Sequence, residues 1–334
     1  MSHHTLIAEW EHQEFVQLVF PHKDTDWNQY LNEAIATFVN IAKTIQKYQK
    51  VVIIAKELAQ TKALFPNKKN ITFVKIDSND TWSRDFGGIC VKHLNQFMIL
   101  DFKFNGWGNK FQANLDNKIT FKMKLKGLFK NYQYKTIPFV LEGGAIDYNG
   151  NDILLTSSKT MFEKNRNPHL TKSTIEKKLI DFFGLKKILW LNYGGLSGDD
   201  TDSHIDTLAR FVSKNTIVYQ TCYKNNPDYE QLQKMEQELK KFKNLQNQHF
   251  QLIPLPPIDI KLFQNEQLPA TYVNFLIING AVLVPTYNDK NDKNALKIFK
   301  KLFPNRDIIG INCTTLIKQH GSLHCVTMQY PAIT

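Results

Sequence analysis

The chain has 334 residues, of which 42% are hydrophobic and 22% are charged, and its formal net charge is +11. This length and apolar content support one large or two ordinary domains with a substantial core, and they argue against wholesale disorder. The lysines are scattered, as in 122–126, so a solvated basic surface is favoured over a nucleic-acid-binding patch. No two of the four cysteines have CxxC spacing, and no apolar run approaches the length of a membrane span. A zinc ribbon, a disulfide scaffold and a membrane protein are therefore not expected, and the predicted compartment is the cytoplasm.

In the first half of the chain, apolar runs bounded by turn residues predict a series of strands. They lie, in order, at 15–20, 51–55, 71–74, 89–93, 96–103, 139–142, 145–148 and 152–156. Helical spacing of apolar residues predicts one helix over 28–48. Tight turns are predicted at Leu94-Asn95 and at Asn149-Gly150. The segment 105–135 is rich in Gly, Asn and Lys, and such a long excursion inside a compact protein is often functional.

In the second half, the capping box Ser173-Thr174-Ile175-Glu176 begins a helix that Gly184 ends. Helices with one apolar face are also predicted over 228–245 and 291–303. Strands are predicted at 188–191, 207–212, 216–221, 249–253, 272–278, 281–285, 307–312 and 323–328. Two or three strands thus precede each helix, in units of roughly 60–70 residues without a linker. We predict an α/β fold in one domain, 1–334, whose strand-rich modules surround a centre.

An acidic island lies in this basic chain at Gly198-Asp199-Asp200-Thr201-Asp202-Ser203-His204-Ile205-Asp206. Four carboxylates and one imidazole favour a cation, either a metal ion or an organic cation. If 203–211 is a strand, His204 and Asp206 lie on the same face, because alternate residues of a strand do. The alternative is a helix N-terminus, where the helix dipole favours carboxylates. Zinc would need more ligands, and the spacing does not match a calcium-binding EF-hand loop, so no metal is expected.

Three further motifs bring reactive side chains to strand ends or turns. The loop 81–88 contains Arg84-Asp85 and ends in two glycines that let backbone approach a ligand, although a tight turn is the alternative. Glu142 precedes Gly143-Gly144 and either holds a histidine in one orientation or belongs to a plain hairpin. Cys325 is a candidate nucleophile, with burial as an ordinary core cysteine as the alternative. Its neighbour His324 is predicted to face the opposite side of a strand, which leaves His204 as the base.

Five stretches together resemble the agmatine deiminases, among the guanidine-modifying enzymes of the pentein fold. They are, in order, 8–11 with Asp26-Trp27, 80–87, 141–144, 198–211, and 272–275 through Val284-Pro285 with 323–327. The resemblance implies a pentein α/β propeller of five ββαβ-type modules around a pseudo-fivefold axis. The chain departs from the family pattern at Gly88, where proline is usual, and at His320-Gly321-Ser322, where a glycine run is usual.

The resemblance also implies a role for each motif residue. Cys325 corresponds to the nucleophile, His204 to the acid/base, and Glu142 to the carboxylate that orients this histidine. Asp85 and Asp206 correspond to the pair that binds the guanidinium. The implied reaction, which needs no cofactor, converts agmatine to N-carbamoylputrescine and ammonia through a covalent thiouronium on the cysteine. Its product would feed putrescine and polyamine synthesis.

The sequence does not identify the residues that bind the part of the substrate beyond the guanidinium. Trp82 and Trp107 are expected to contact the substrate, and the loop with Trp10 and Trp27 is, with 105–135, a candidate for closing over it. Free or peptidyl arginine, giving citrulline, is the alternative substrate, and a nucleic-acid-binding module is the alternative from another class. The expected partner is a small guanidine, with no nucleic acid or membrane, and a homodimer is a candidate assembly. Nearby carboxylates are expected to raise the pKa of the nucleophilic thiol until a bound cation lowers it again.

Overall fold

The computed structural model of the chain describes residues 4–94 and 96–333. In the described residues the strands are β1 (His4–Leu6), β2 (Gln13–Val19), β3 (Lys50–Ala55), β4 (Ile71–Lys75), β5 (Ile89–His93), β6 (Gln96–Lys103), β7 (Gln133–Val140), β8 (Ile146–Tyr148), β9 (Ile153–Ser157), β10 (Lys187–Leu191), β11 (Ala209–Ser213), β12 (Thr216–Gln220), β13 (Gln251–Leu255), β14 (Leu262–Phe263), β15 (Glu266–Gln267), β16 (Leu276–Ile278), β17 (Ala281–Thr286), β18 (Asp307–Asn312) and β19 (Thr327–Pro331). The α-helices are α1 (Leu31–Ile45), α2 (Leu58–Ala63), α3 (Ser83–Phe86), α4 (Ile119–Leu125), α5 (Ser158–Met161), α6 (Lys172–Phe183), α7 (Tyr229–Leu239) and α8 (Asp292–Leu302).

Five separate sheets repeat one strand pattern. In each, an antiparallel pair is followed by a third strand that pairs in parallel with the second, as in β5–β6–β7, β8–β9–β10, β11–β12–β13, β16–β17–β18 and β19–β2–β3. A parallel pair needs a crossover, and a helix fills each one: α4, α5 with α6, α7, α8 and α1, in the same order. The sequence predicts the crossover helices α1, α6, α7 and α8, but it does not predict α4 or α5.

The remaining strands extend this pattern without changing it. β1 adds to the edge of β5, β4 adds to the edge of β3, and β14 pairs with β15 as a two-stranded ribbon. The sheet that contains β2 is completed by β19, which comes from the other end of the chain. Among the inner strands, every residue of β9 is buried. Across the described residues, no helix is both long enough and apolar enough to cross a bilayer.

Two predicted strands do not reach the reactive residues. The predicted strand 203–211 begins only at β11, because Ile205–Thr207 form a 3-10 turn. The predicted strand 323–328 begins only at Thr327, so His324 and Cys325 lie in the turn before β19. Alternation along a strand therefore cannot be the reason that these side chains point where they do.

Other predictions need smaller corrections. The segment 105–135 is not a plain loop, since it contains α4 and the start of β7. Helix α6 begins after Thr171, whose hydroxyl accepts from the Thr174 N–H at 3.2 Å, so Ser173 is not its cap. Trp27 does not close over a site, because it is fully buried. The predicted turn at Leu94-Asn95 lies partly outside the described residues.

Candidate active site

Most of the predicted site residues line one cavity of about 230 Å3. Cys325, His204, Trp82 and Trp107 form part of its wall. Glu142 is the exception, as far as the described residues define the wall. Within the described chain no Lys or Arg lines the cavity, whereas six aspartates do: Asp26, Asp80, Asp85, Asp199, Asp200 and Asp206.

The crowding of these carboxylates affects their ionisation. Burial and the neighbouring Asp26 raise the pKa of Asp80 to about 7. Burial and the charge of Asp199 raise the pKa of Asp200 to about 6. Each added negative charge in the cavity is opposed by those already there, so a bound cation would relieve the repulsion.

Asp85 lies in the short helix α3 and is almost fully buried. Its Oδ1 accepts from the Gly144 N–H at 3.0 Å, and its Oδ2 accepts from the indole N–H of Trp107 at 2.9 Å. Burial raises the pKa of Asp85 to about 6; the charge of Asp206 adds to this effect, and His204 opposes it. Two neutral donors therefore fix the carboxylate, which keeps further lone pairs for a ligand.

Trp107 reaches Asp85 from an unusual backbone turn. Gly106, Trp107, Gly108 and Asn109 have φ of 67°, 53°, 81° and 65°, so four successive residues are left-handed. Glycine adopts this conformation freely, but a tryptophan does so at a cost of roughly 1–2 kcal/mol. The Asn105 side chain accepts from the Gly108 N–H at 3.0 Å and stabilises the turn. Strain of this kind is typical of functional sites, and here it holds an indole on a buried carboxylate.

His204 follows two further left-handed residues, Asp202 and Ser203, with φ of 67° and 68°. Its imidazole is buried, and within the described residues neither ring nitrogen has a hydrogen-bond partner. Nδ1 lies 3.6 Å from Oδ1 of Asp85. A buried imidazole without partners is costly unless a ligand or solvent completes it, so the ring is available for proton transfer.

Gly144 lies where three of these groups converge. A Cβ atom built on it would lie 2.7 Å from Nδ1 of His204, 2.8 Å from Oδ1 of Asp85 and 3.2 Å from Oδ2 of Asp206. Any side chain there would displace the imidazole or a carboxylate. Gly144 is thus required because His204, Asp85 and Asp206 approach its backbone too closely for any side chain.

Asp206 lies in the 3-10 turn before β11, fully buried. Its Oδ2 lies 2.8 Å from Nδ1 of His324, and its Oδ1 has no partner among the described residues. Burial favours the neutral acid, but the hydrogen bond and charge of His324, with the further effects of His204 and Arg210, outweigh it and lower the pKa of Asp206. The carboxylate is therefore ionised and has one free oxygen for a cation.

The thiol of Cys325 faces Asp206 and an amide. Sγ lies 3.7 Å from Oδ2 of Asp206 and 3.2 Å from Nδ2 of Asn274. Oδ1 of Asn274 accepts from the backbone N–H groups of His324 and Cys325 at 2.8 and 3.3 Å. Burial, Asp206 and Asp85 raise the pKa of Cys325 well above its ordinary value. The free protein therefore holds a thiol, as the sequence led us to expect.

Glu142 does not contact His204 by any hydrogen bond within the described residues. Both of its carboxylate oxygens accept from Nε of Arg166, at 2.9 and 3.0 Å. The same guanidinium binds the Asp202 carboxylate at 2.7 Å and the Thr201 carbonyl at 3.0 Å. Glu142 is thus connected to the segment before His204 through Arg166, which differs from the direct contact that the resemblance implies.

Several residues of the site had no role in the sequence analysis. Asn274 was part of a family-like stretch, but nothing in its spacing connects it to Cys325. Arg166 pairs with Glu142, and Glu9 lies 3.0 Å from Nε2 of His324; such contacts between distant parts of the chain leave no local pattern. In the described part of the chain, no group of three or more His, Cys, Asp or Glu side chains has the geometry to hold a metal ion.

Comparison with known proteins gives a consistent result. A family model described as Porphyromonas-type peptidyl-arginine deiminase matches residues 5–331. An agmatine deiminase of Pseudomonas syringae pv. tomato is 30% identical, and the alignment covers 97% of this chain and 95% of that protein. A substrate-bound Cys-to-Ser variant of C. jejuni agmatine deiminase is 43% identical, with a TM-score of 0.94 over 98% of this chain and 96% of that one.

Two more distant structures extend the comparison. The agmatine deiminase of Enterococcus faecalis is 27% identical, with a TM-score of 0.89 over 99% of this chain and 96% of that one. A DDAH from Pseudomonas aeruginosa, a Cys-to-Ser variant complexed with citrulline, is 13% identical and has a TM-score of 0.52 over 96% of this chain and 100% of that one. This last likeness concerns the fold alone.

Proposed function

The chain belongs to the family of Porphyromonas-type peptidyl-arginine deiminases, and on that premise we propose that it is an agmatine deiminase. It hydrolyses a C–N bond of the guanidinium of agmatine and releases N-carbamoylputrescine and ammonia. The structures and curated proteins that it resembles over nearly its whole length include agmatine deiminases. The product would supply putrescine and hence polyamine synthesis.

The negative charge of the cavity is the observation that favours agmatine as the substrate. Six aspartates line it, and no Lys or Arg does so within the described residues. Agmatine has a guanidinium at one end and an ammonium at the other, so both ends gain from this field. Arginine adds an α-carboxylate, which would be buried against like charges without a cationic partner. Free arginine is therefore the weaker candidate.

The two inner aspartates bind the guanidinium. Its planar N–H groups suit paired, charge-assisted hydrogen bonds to Asp85 and to the free Oδ1 of Asp206. The indoles of Trp82 and Trp107 line the same cavity and offer apolar faces to a flat cation and its alkyl chain. These contacts bring the guanidinium carbon to the sulfur of Cys325.

The first half of the reaction breaks a C–N bond. The bound cation lowers the pKa of the Cys325 thiol by offsetting Asp85 and Asp206, and His204 takes the thiol proton. The thiolate attacks the guanidinium carbon to form an S–C bond, and the C=N electron pair moves to nitrogen. His204 gives a proton to the departing nitrogen, which leaves as ammonia. A positively charged S-alkylthiouronium remains on the cysteine.

The second half restores the enzyme. His204, now neutral, takes a proton from a water molecule that attacks the same carbon. The S–C bond breaks, its electron pair returns to the sulfur of Cys325, the ureido product is released, and His204 returns its proton to the sulfur. The sum is agmatine plus water giving N-carbamoylputrescine plus ammonia. Glu142 acts here through Arg166, which holds the segment before His204 in its left-handed conformation.

We further propose that the five sheets are the modules of a pentein propeller around a pseudo-fivefold axis. The repeated strand pattern and the pairing of β19 with β2 support this arrangement, and the uniform series of modules supports a single domain over 1–334. The four cysteines, all described, are free thiols, which suits the reducing cytoplasm.

Ammonia release from agmatine, free arginine and a blocked arginine peptide, measured in parallel, tests the proposal. We expect turnover of agmatine far above the other two. Cys325→Ser should abolish turnover yet still bind agmatine, whereas the matched Cys222→Ser, at a half-buried cysteine outside the cavity, should retain activity. An enzyme that leaves agmatine intact would refute the proposed substrate, and full activity in Cys325→Ser would refute the nucleophile.

A further inference from the structure

Asp206 is bonded to His324, whose ring lies between the Asp206 carboxylate and the carboxylate of Glu9. Nδ1 of His324 lies 2.8 Å from Oδ2 of Asp206, and Nε2 of the same ring lies 3.0 Å from Oε2 of Glu9. The ring is buried and, so far as the described residues define the cavity, it is not part of the wall. His324 therefore supports the substrate site without touching the substrate.

Glu9 anchors the far side of this ring. Its Oε2 also pairs with Nη2 of Arg210, and its Oε1 accepts from the Ile277 N–H at 2.8 Å. Arg210 is fully buried and pairs in addition with Asp147. A change in the position of His324 would break contacts to several elements, so the ring is rigidly held.

The two hydrogen bonds of the ring require two hydrogens, whereas a neutral imidazole carries one N–H. A neutral ring can therefore donate to only one of the two carboxylates at a time. The charged groups that face the ring are the carboxylates of Glu9 and Asp206 and the guanidinium groups of Arg84 and Arg210. Burial and the two guanidinium groups lower the pKa of His324, against the opposing carboxylates. The Asp206 contact needs only the hydrogen on Nδ1, so the neutral ring is sufficient for it.

We propose that His324 is the positioning residue of the guanidinium site, an inference that rests on the proposed function. By donating from Nδ1 to Oδ2 of Asp206, it fixes the carboxylate so that the free Oδ1 faces the substrate. It also keeps Asp206 ionised beside the sulfur of Cys325, 3.7 Å away. Without this donor, burial favours the neutral carboxylic acid, which binds a cation poorly and no longer repels a thiolate.

Two substitutions separate the two contacts of the ring. The side-chain amide of asparagine takes the place of Nδ1, so His324→Asn keeps a donor to Asp206. The longer amide of glutamine takes the place of Nε2, so His324→Gln keeps only the contact to Glu9. Both remove the aromatic ring, and a role in packing alone would therefore give similar losses in both variants.

The first measurement needs no substrate. Alkylation of Cys325 by iodoacetamide is followed across pH by mass spectrometry of the peptide that contains it. We expect His324→Gln to lower the midpoint of this profile by about one pH unit, because a neutral Asp206 no longer repels the thiolate. His324→Asn should keep the wild-type midpoint. Identical midpoints in the wild type and His324→Gln would overturn the proposal.

The second measurement is the affinity for agmatine, by calorimetry in the Cys325→Ser background, which cannot turn over. We expect His324→Gln to weaken binding by about 10- to 100-fold, and His324→Asn to stay within about threefold of the parent. Equal weakening in both variants would assign the residue to packing and overturn the proposal. If the parent itself fails to bind agmatine, the proposed function falls, while the alkylation profile still decides the role of His324.

Discussion

Nε of Arg166 lies within 3.0 Å of both carboxylate oxygens of Glu142, and both side chains are nearly inaccessible to solvent. The remaining nitrogens of this guanidinium bind Asp202 and Thr201. A buried ion pair thus fixes two residues of the turn that leads into His204. The resemblance implies that Glu142 contacts the His204 imidazole directly. In the structure Glu142 instead acts, through Arg166, on the backbone turn that precedes His204.

Glu142→Gln and Arg166→Met are therefore expected to lower kcat for agmatine by similar factors. Arg166→Met should also lower the free energy of unfolding by roughly 3–5 kcal/mol, because it leaves the buried Glu142 carboxylate without its partner. Glu142→Gln should cost less, because Arg166 keeps its ion pair with Asp202 at 2.7 Å. The double variant should lose less than the sum of the two. Turnover and urea unfolding measure these effects. A loss of kcat in Glu142→Gln far beyond that in Arg166→Met would instead indicate direct action on His204.

Gly144→Ala is expected to lower kcat by at least about a hundredfold, because its Cβ would overlap Nδ1 of His204 and Oδ1 of Asp85. Gly310→Ala is the matched control, since its nearest neighbour is the end of the Thr286 side chain at 3.1 Å, away from the cavity. Steady-state kinetics with thermal melting of both variants provide the test. Wild-type kcat in Gly144→Ala would mean that His204 and Asp85 do not need the positions described.

Asn274→Asp separates the two functions of this amide. It keeps the oxygen that accepts from the backbone of His324 and Cys325, but it replaces the donor to Sγ by a second oxygen. We expect kcat to fall by about a hundredfold and the pH midpoint of Cys325 alkylation to rise, since the thiolate loses a donor and meets a negative charge. Unchanged alkylation would show that the amide does not stabilise the thiolate.

The affinity for agmatine should rise as pH rises through about 6, because Asp85 has its pKa raised to about 6 and binds the cation only when ionised. Asp80, with a pKa raised to about 7, should extend the rise to slightly higher pH. Both cationic groups of agmatine stay charged throughout, so the change belongs to the protein. KM against pH measures it, and Asp85→Asn should bind weakly and lose the part of the rise centred near 6. A flat profile in the wild type would contradict the raised values.

Periodicity in the sequence was sufficient for most of the fold. The apolar run 51–55 corresponds to β3, and the amphipathic pattern of 28–48 corresponds to α1. Both could be predicted because burial of one or two faces of an element leaves a periodic pattern of apolar residues in the sequence. The rhythm of strands and helices likewise agrees with the five repeated sheets. These features depend on neighbours in sequence, which is why they could be predicted.

The site was predicted less completely, for physical reasons. Cys325, Asp85 and Asp206 were candidates from their local motifs, but only the family resemblance combined them into one site, since no local pattern shows that such distant residues meet. Trp107, Asp202 and Ser203 adopt left-handed backbone conformations although none of them is a glycine, so the sequence does not predict these turns. For this reason the turn around Asp206 was predicted as a strand. Arg166 and Glu142 form a pair across two loops, and such a pair is visible only in three dimensions.

The pairing of β19 with β2 has a consequence for synthesis on the ribosome. Glu9 and His324 are 315 positions apart, and Cys325 comes immediately before the strand that completes the first sheet. Asp85, Glu142 and His204 therefore emerge well before the nucleophile, and the nascent chain is inert until β19 pairs. Until then the edge of β2 is unpaired and open to association with other chains. The catalytic centre is therefore expected to form late, because Cys325 reaches its position only when β19 pairs with β2 from the opposite end of the sequence.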